Sequence, residues 1–476
     1  MKALTASAAA LLLLPATAFA ASIEDFAKAM GADKVSTIEF SGSGSFYALG
    51  QSANPSMPWP RFMLESYRLT VNYGAAALTE ELVLTQGENP PRGGGRQPVH
   101  GSQMRERGVS GGTGWVGSGR NARPAGAAGG IHTLWTTPHG VIKAAEAAKA
   151  KPDTRMAGGK TYQTVTFGEK GVFTATAWFD SRNMLRGVNS RLTNPVFGDM
   201  DVRTVYSDYK NFAGVMFPTR IKVISGGFPT LDLTVNKVTP NAAAEIAAPE
   251  GLPPMRQNVK IDKVADGVWF LTGGSHHSVA VEMKDHVVVF EGPIGDARAN
   301  AVIEATRKTI PGKPIRFVVN THHHFDHSGG LRAFAAEGAT IVTHKINVPF
   351  FQAAYGGTHR ISPDSLARAA RKARFVGTED KHVMTDGSRT IELYRLAGNA
   401  HNDGLLIGYL PKEKIMTVAD AFSPRTLLKA PDRRVNLSTA NLWRNLDRLK
   451  LDIETILPIH GRKVGFEQMR FAAGQP

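Results

Sequence analysis

Apolar and polar residues mainly alternate through the first half of the chain. Period-two runs at Tyr67–Tyr73, Tyr162–Phe167, Val172–Phe179, Met200–Tyr206 and Thr219–Val223 predict amphipathic strands, after a short helix at Ile23–Met30. Beyond residue 257 the pattern changes. Short continuous apolar runs appear at Val268–Leu271, Val279–Met283, Val287–Phe290, Ile315–Val319, Ala339–Thr343 and Leu405–Leu410, which is how buried strands read. Pro240, Pro249, Pro253 and Pro254 break any regular element between Thr239 and Arg256. At 476 residues, two domains are expected: a mostly antiparallel β domain over 22–250 and a second domain over 257–476, together an α+β chain.

Residues 87–130 depart from both patterns. Glycine is dense there, and Arg92, Arg96, Arg105, Arg107, Arg120 and Arg123 stand among few large apolar groups, so a long mobile loop is expected. The glycines lack the strand-to-helix setting of a nucleotide-binding loop.

Four histidines and an aspartate fill six positions, His322-His323-His324-Phe325-Asp326-His327, between the run Ile315–Val319 and a turn, Gly329-Gly330, that feeds a helix. Loops on a rigid scaffold gather binding groups, and imidazole with carboxylate suits zinc and similar divalent metals. Alternate side chains of an extended segment share a face, so His322 and His324 can hold one ion while His323 and Phe325 turn into the fold. Asp326 and His327 then face a second position. Of the 15 histidines only His100, His132 and His139 precede residue 257, which assigns the metal chemistry to the C-terminal half. His401 lies there in a Gly-rich turn, and Asp420 and His460 each follow an apolar run. One sheet edge can collect all of them.

In this order, the four motifs resemble those of the metallo-β-lactamase fold hydrolases: H-x-H-x-D-H, then His, Asp and His. The resemblance covers about residues 257–476 and implies an αββα sandwich. It implies that His322, His324 and His401 bind one metal and Asp326, His327 and His460 the other, with Asp420 bridging. The implied cofactor is two Zn2+ per chain, with iron or manganese as other divalent choices. Hydroxide shared by the metals would attack an ester, lactone, lactam, thioester or phosphoester, and Asp326 or Asp420 would relay a proton to the leaving group. Without cysteine, lactamases that use a cysteine ligand are excluded; Asp420 is more similar to the glyoxalase-II-like, lactonase and phosphodiesterase branches. In the resembling fold the loop carrying His276 and His277 overhangs the active site, which makes both candidate substrate contacts. Glu291, where the family often has Asp, is expected to orient a metal ligand. His344 is read as packing, and His286, His359 and His382 as surface residues. All seven ligand candidates lie between 322 and 460. If the first domain serves only ligand delivery or assembly, a fragment 251–476 is therefore expected to fold, bind two metals and hydrolyse a small activated ester while losing activity on its natural substrate. The alternative is that the Arg- and Gly-rich stretch 87–130 reaches over the metals and completes the pocket for an anionic substrate.

Val205–Lys210 with Gly214–Pro218 resembles repeats in the curved sheets of lipoprotein-carrier-like domains. That implies a half-barrel that binds something apolar or packs on the catalytic domain; a structural or oligomerising module fits the same residues. An envelope binding protein with an apolar-ligand sheet and a non-catalytic metal site is therefore the alternative to an exported zinc hydrolase. Seven ligands for two ions leave room for water, which favours the enzyme.

Lys2, the apolar stretch Ala8–Leu14 and Ala18-Phe19-Ala20 predict a secretory signal peptide over 1–20, cleaved after Ala20, and so a periplasmic or secreted protein. No later run is long enough to span a bilayer. The net charge of +15 has no dense basic block, which argues against nucleic acid and for a small-molecule, anionic substrate.

Overall fold

The computed structural model describes residues 21–424 and 435–475, so the signal-like segment lies outside the described residues. Helix Ile23–Met30 begins with a capping box between Ser22 and Asp25 and stops at Gly31, which adopts the left-handed conformation (φ 68°). Thirteen antiparallel strands follow in one sheet. The first, Thr37–Tyr47, pairs on one side with Arg61–Asn72 and on the other with the last, Phe228–Pro240. Helices Ala128–Thr136 and Pro138–Ala147 cover the sheet through Leu134, Val141, Ile142 and Ala145. At one place the cover is incomplete, and a cavity of about 480 Å3 remains, lined by Phe40, Tyr67, Leu69, Leu82, Ile221 and Leu233.

The glycine-rich stretch differs from the loop expected. Gln103–Ser110, Thr113–Val116 and Arg123–Ala125 extend the sheet as its outermost strands, and only about half of residues 87–130 is irregular. The strand signal was hidden because charged residues occupy positions that alternation reserves for apolar ones. Arg107 turns inward to pair with Glu80, whose side chain is 8% exposed and also accepts from the Tyr67 hydroxyl at 2.8 Å.

After a linker, the second half forms two packed sheets. The seven-stranded sheet runs from Lys260–Ala265 to Arg374–Thr378, with Val287–Phe290, Ile315–Val319, Thr340–His344 and Arg374–Thr378 parallel. The six-stranded sheet contains Leu406–Leu410, Ile415–Val418 and Thr455–Pro458, the last two parallel. Val287 and Val289 face the helices Asp296–Thr309 and Leu331–Ala336, whereas Val288 and Phe290 face the other sheet, meeting Ile391, Leu393, Leu410, Ile415 and Leu457. Strands buried on both faces read as unbroken apolar runs for this reason. Helices Leu437–Leu449 and Phe466–Ala472 cover the outer face of the second sheet. The layers are helix, sheet, sheet, helix: an αββα sandwich. Among the described residues no helix is long and apolar enough to cross a membrane.

Two histidines read as surface residues are buried instead. His286 bonds Asp285 (2.6 Å) and lies against Phe317, and the His359 side chain, 5% exposed, reaches Asp364 at 3.2 Å. A carboxylate partner lets an imidazole be enclosed, and nothing in the local sequence pattern announces it.

Candidate metal centre

Parallel pairing sets the strand ends side by side. Strand Ile315–Val319 ends in the loop 320–324 and the one-turn helix Phe325–Ser328, while Val418 and Pro458 pair directly, so Asp420 and His460 follow at neighbouring strand ends. The loop is pinned by the Ser328 hydroxyl, which donates to the carbonyls of His323 (3.1 Å) and His324 (2.9 Å). His401 is set by its own backbone N–H, which donates to the Asn399 side chain at 2.9 Å.

Two groups of ligand atoms result, each gathered within 4.8 Å: His322, His324, His401 and Asp420, and beside them His276, His327 and His460. Asp420 reaches both, with one oxygen 2.7 Å from His401 Nε2 and the other 2.7 Å from His460 Nε2. Within the first group His322 Nε2 and His401 Nε2 are 3.3 Å apart; in the second, His327 Nε2 and His460 Nε2 are 3.2 Å apart. Asp326 stands at the edge, 3.2 Å from His276 Nε2 and 3.9 Å from His327 Nε2.

The hydrogen bonds on the far sides of the rings decide which nitrogens are free. His324 Nε2 donates to the Ser52 carbonyl (2.8 Å), His327 Nδ1 to Glu291 (3.0 Å) and His460 Nδ1 to the Ser275 carbonyl (3.2 Å). Their other nitrogens are therefore the ones turned toward the cluster. Burial would lower the pKa of His327, but Asp420, Glu291 and Asp326 outweigh it and raise it well above its usual value, so a metal ion there would displace a proton. His324 Nδ1 is buried with no hydrogen-bond partner among the described residues, a state a metal ion would relieve. Burial, with neighbouring imidazoles, lowers the pKa of His322 well below its usual value and that of His324 to about 3, so both stay in the neutral, ligating form. Burial would raise Asp420, but His327, His401 and His460 outweigh it and hold the carboxylate ionised. The donor set fits divalent metal.

His323 faces away from both groups: Asn402 Nδ2 meets its Nδ1 at 3.0 Å and the Ser52 hydroxyl its Nε2 at 3.1 Å. His277, a candidate substrate contact, packs its ring on Phe270 inside the fold, whereas His276 joins the second group. Glu291, fully buried, accepts from Thr321 N–H (2.9 Å) as well as from His327, so it orients a ligand. Glu291→Gln is expected to weaken metal binding by about 10- to 100-fold without unfolding the chain, measured by chelator competition and circular dichroism.

A strap from the first domain closes over the site: 92–95, which sequence reasoning allowed as reaching over the metals, and 50–52, which it missed. Residues 50–52 and 92–95 lie over the ligand loop. Gln51 Nε2 donates to Asp326 Oδ1 (2.8 Å) and its Oε1 accepts from Gly95 N–H (2.9 Å). Phe325 N–H donates to the Gly50 carbonyl, Gly93 N–H to the Ala400 carbonyl, and Arg92 pairs with Asp403 at 2.6 Å. Gly50 has φ 74°, and a Cβ there would lie 2.3 Å from the Phe325 ring, so glycine is required on both counts. Phe325 itself packs with Trp59 and Phe197 of the first domain. The glycine density of 87–130 hinted at close backbone approach; nothing in the sequence marked Gln51 or Ser52.

Residues 271–460 match the family model described as Metallo-beta-lactamase superfamily. The 2,4-dinitroanisole O-demethylase subunit alpha of Nocardioides sp. (strain JS1661) is 26% identical over 172 residues, 36% of this chain and 49% of that protein. A linear primary-alkylsulfatase of Pseudomonas sp is 31% identical over 87 residues, 18% of this chain and 13% of that one. The chain thus spans half or less of the length of these curated relatives. Among solved structures, a metallo-beta-lactamase from Pontibacter korlensis is 18% identical with a TM-score of 0.35, covering 46% of this chain and 98% of its own. The DIM-1 metallo-beta-lactamase exposed to ceftazidime is 15% identical with a TM-score of 0.34, covering 45% and 95%.

Proposed function

From the premise that the C-terminal region is a metallo-β-lactamase superfamily domain with the His and Asp groups of a metal-dependent hydrolase, we propose that the chain is a dinuclear zinc hydrolase. The bond cleaved is that of an ester, lactone, lactam, thioester or phosphoester. One observation carries this reading: Asp420 touches two separate imidazole groups with its two oxygens. His322, His324 and His401 would hold one zinc, and Asp326, His327 and His460 the other, with Asp420 between them. Bound there, the metals supply Lewis acidity and a water acidified to about neutral pKa.

The protein's own groups do the rest. Ser52, Glu291 and Ser275 fix the ring orientations, so the donor atoms need little rearrangement when substrate binds. Asp326, whose side chain is 36% exposed, is open to a leaving group, whereas Asp420, at 17%, is enclosed. We therefore assign proton transfer to Asp326 rather than Asp420, on Oδ1, the oxygen that faces Gln51 and not His276. The positive net charge favours anionic substrates.

Elemental analysis of protein prepared with zinc tests the reading: about two zinc ions per chain are expected. A reproducible value of one at full occupancy overturns the two-metal reading. A substrate panel of the five bond types, extended by an alkyl sulfate and 2,4-dinitroanisole on the strength of the relatives' names, then identifies the bond cleaved.

A further inference from the structure

The second imidazole group holds one residue more than the seven ligands just named. We infer that His276 is itself a ligand of the position formed by Asp326, His327 and His460, giving that position five protein ligands together with the shared Asp420. The inference rests on the two-metal reading and deepens it.

Spacing is the first support. Metal–ligand bonds of about 2.0–2.1 Å in a five-coordinate shell place neighbouring ligand atoms roughly 2.9–3.5 Å apart. His276 Nε2 lies 3.2 Å from Asp326 Oδ2, matching the 3.2 Å between the Nε2 atoms of His327 and His460 in the same group. Its ring centroid is 4.3 Å from that of His460 and 5.0 Å from that of His327. All three imidazoles thus crowd one centre.

Anchorage is the second. His276 Nδ1 lies 2.9 Å from the Ser275 hydroxyl, so its far nitrogen also has a partner, a hydroxyl where those of His324, His327 and His460 have carbonyl or carboxylate oxygens. The Ser275 carbonyl in turn accepts from His460, and His277 N–H donates to the Ile459 carbonyl, so the loop 275–277 and the His460 turn are built as one unit. Arg298, itself buried, donates to the carbonyls of Asn258, Thr272 and His276 and fixes the loop from behind. A substrate contact needs exposure, and His276 is only 8% exposed. Rings held this firmly, aimed at a metal position and closed to solvent, serve as ligands.

Proton NMR of the dicobalt protein tests this. Each imidazole bound to Co2+ should give one strongly shifted, exchangeable N–H resonance. Six are expected: His322, His324 and His401, with His276, His327 and His460. His276→Gln should remove one and weaken uptake of the second cobalt by about 10-fold or more, leaving the first unchanged. Two bound cobalt ions with five shifted resonances in the unaltered protein overturn the inference alone, and that count decides even where the variant does not fold. A variant that keeps all six resonances and the second-cobalt affinity, and changes only KM, overturns it too. Uptake of a single cobalt by the unaltered protein overturns the two-metal reading and this inference with it.

Discussion

Alanine in place of His322, His324, His401 or His460 is expected to abolish hydrolysis and to lower metal content together. His324 and His460 each donate to a backbone carbonyl and so turn the opposite nitrogen to the cluster, His322 Nε2 and His401 Nε2 meet there at 3.3 Å, and His324 Nδ1 has no other partner to turn to among the described residues. His323→Ala is expected to behave differently, although it sits between two of them. His323 holds Asn402 and Ser52, meets the His324 ring edge-on and contributes no atom to either ligand group, so its loss should reduce activity by about 10- to 100-fold at most while metal stays bound. Zinc content and kcat/KM measured side by side on the five variants separate the two classes. Equal loss of zinc in His323→Ala would sink the assignment.

A fragment 251–476 is expected to bind metal poorly and to aggregate, contrary to the independence that ligand positions alone suggest. It would lose the Ser52 carbonyl that fixes the His324 tautomer and the Gln51 amide on Asp326, and would bare Phe325 and Phe350, which pack with Trp59 and Phe197. Gly50→Val tests the same dependence in the full chain. Its side chain would drive into the Phe325 ring and lift the strap, and metal affinity should fall by about 10- to 100-fold for each partner lost. Wild-type affinity in Gly50→Val, with a soluble fragment that binds zinc tightly, would mean the strap is only a surface contact.

The C-terminal architecture was legible because strands such as Val287–Phe290 are apolar on both faces and the ligand loop concentrates its histidines within a few residues. Gln51 and Ser52 of the strap were not. Ser52 acts on His324 through a backbone carbonyl, which every residue carries, and Gln51 meets Asp326 across 275 positions of sequence. The strand Gln103–Ser110 was masked by the inward turn of Arg107 onto Glu80. His276 was visible, but as one member of a pair whose two rings the fold sends in opposite directions: one toward His460, the other against Phe270.

Phe325 sits inside the ligand motif, yet its ring is docked among residues of the other half of the chain. Synthesis makes that half first, so Gly50, Gln51 and Ser52 already exist when the histidines they brace leave the ribosome. A chain cut short before residue 322 leaves a sheet and no ligand loop at all, and one begun after residue 60 leaves a ligand loop without its brace. Tight metal binding is therefore expected of a chain that holds both halves, because the brace and the ligands it orients lie 272 to 275 positions apart and meet only when the halves dock.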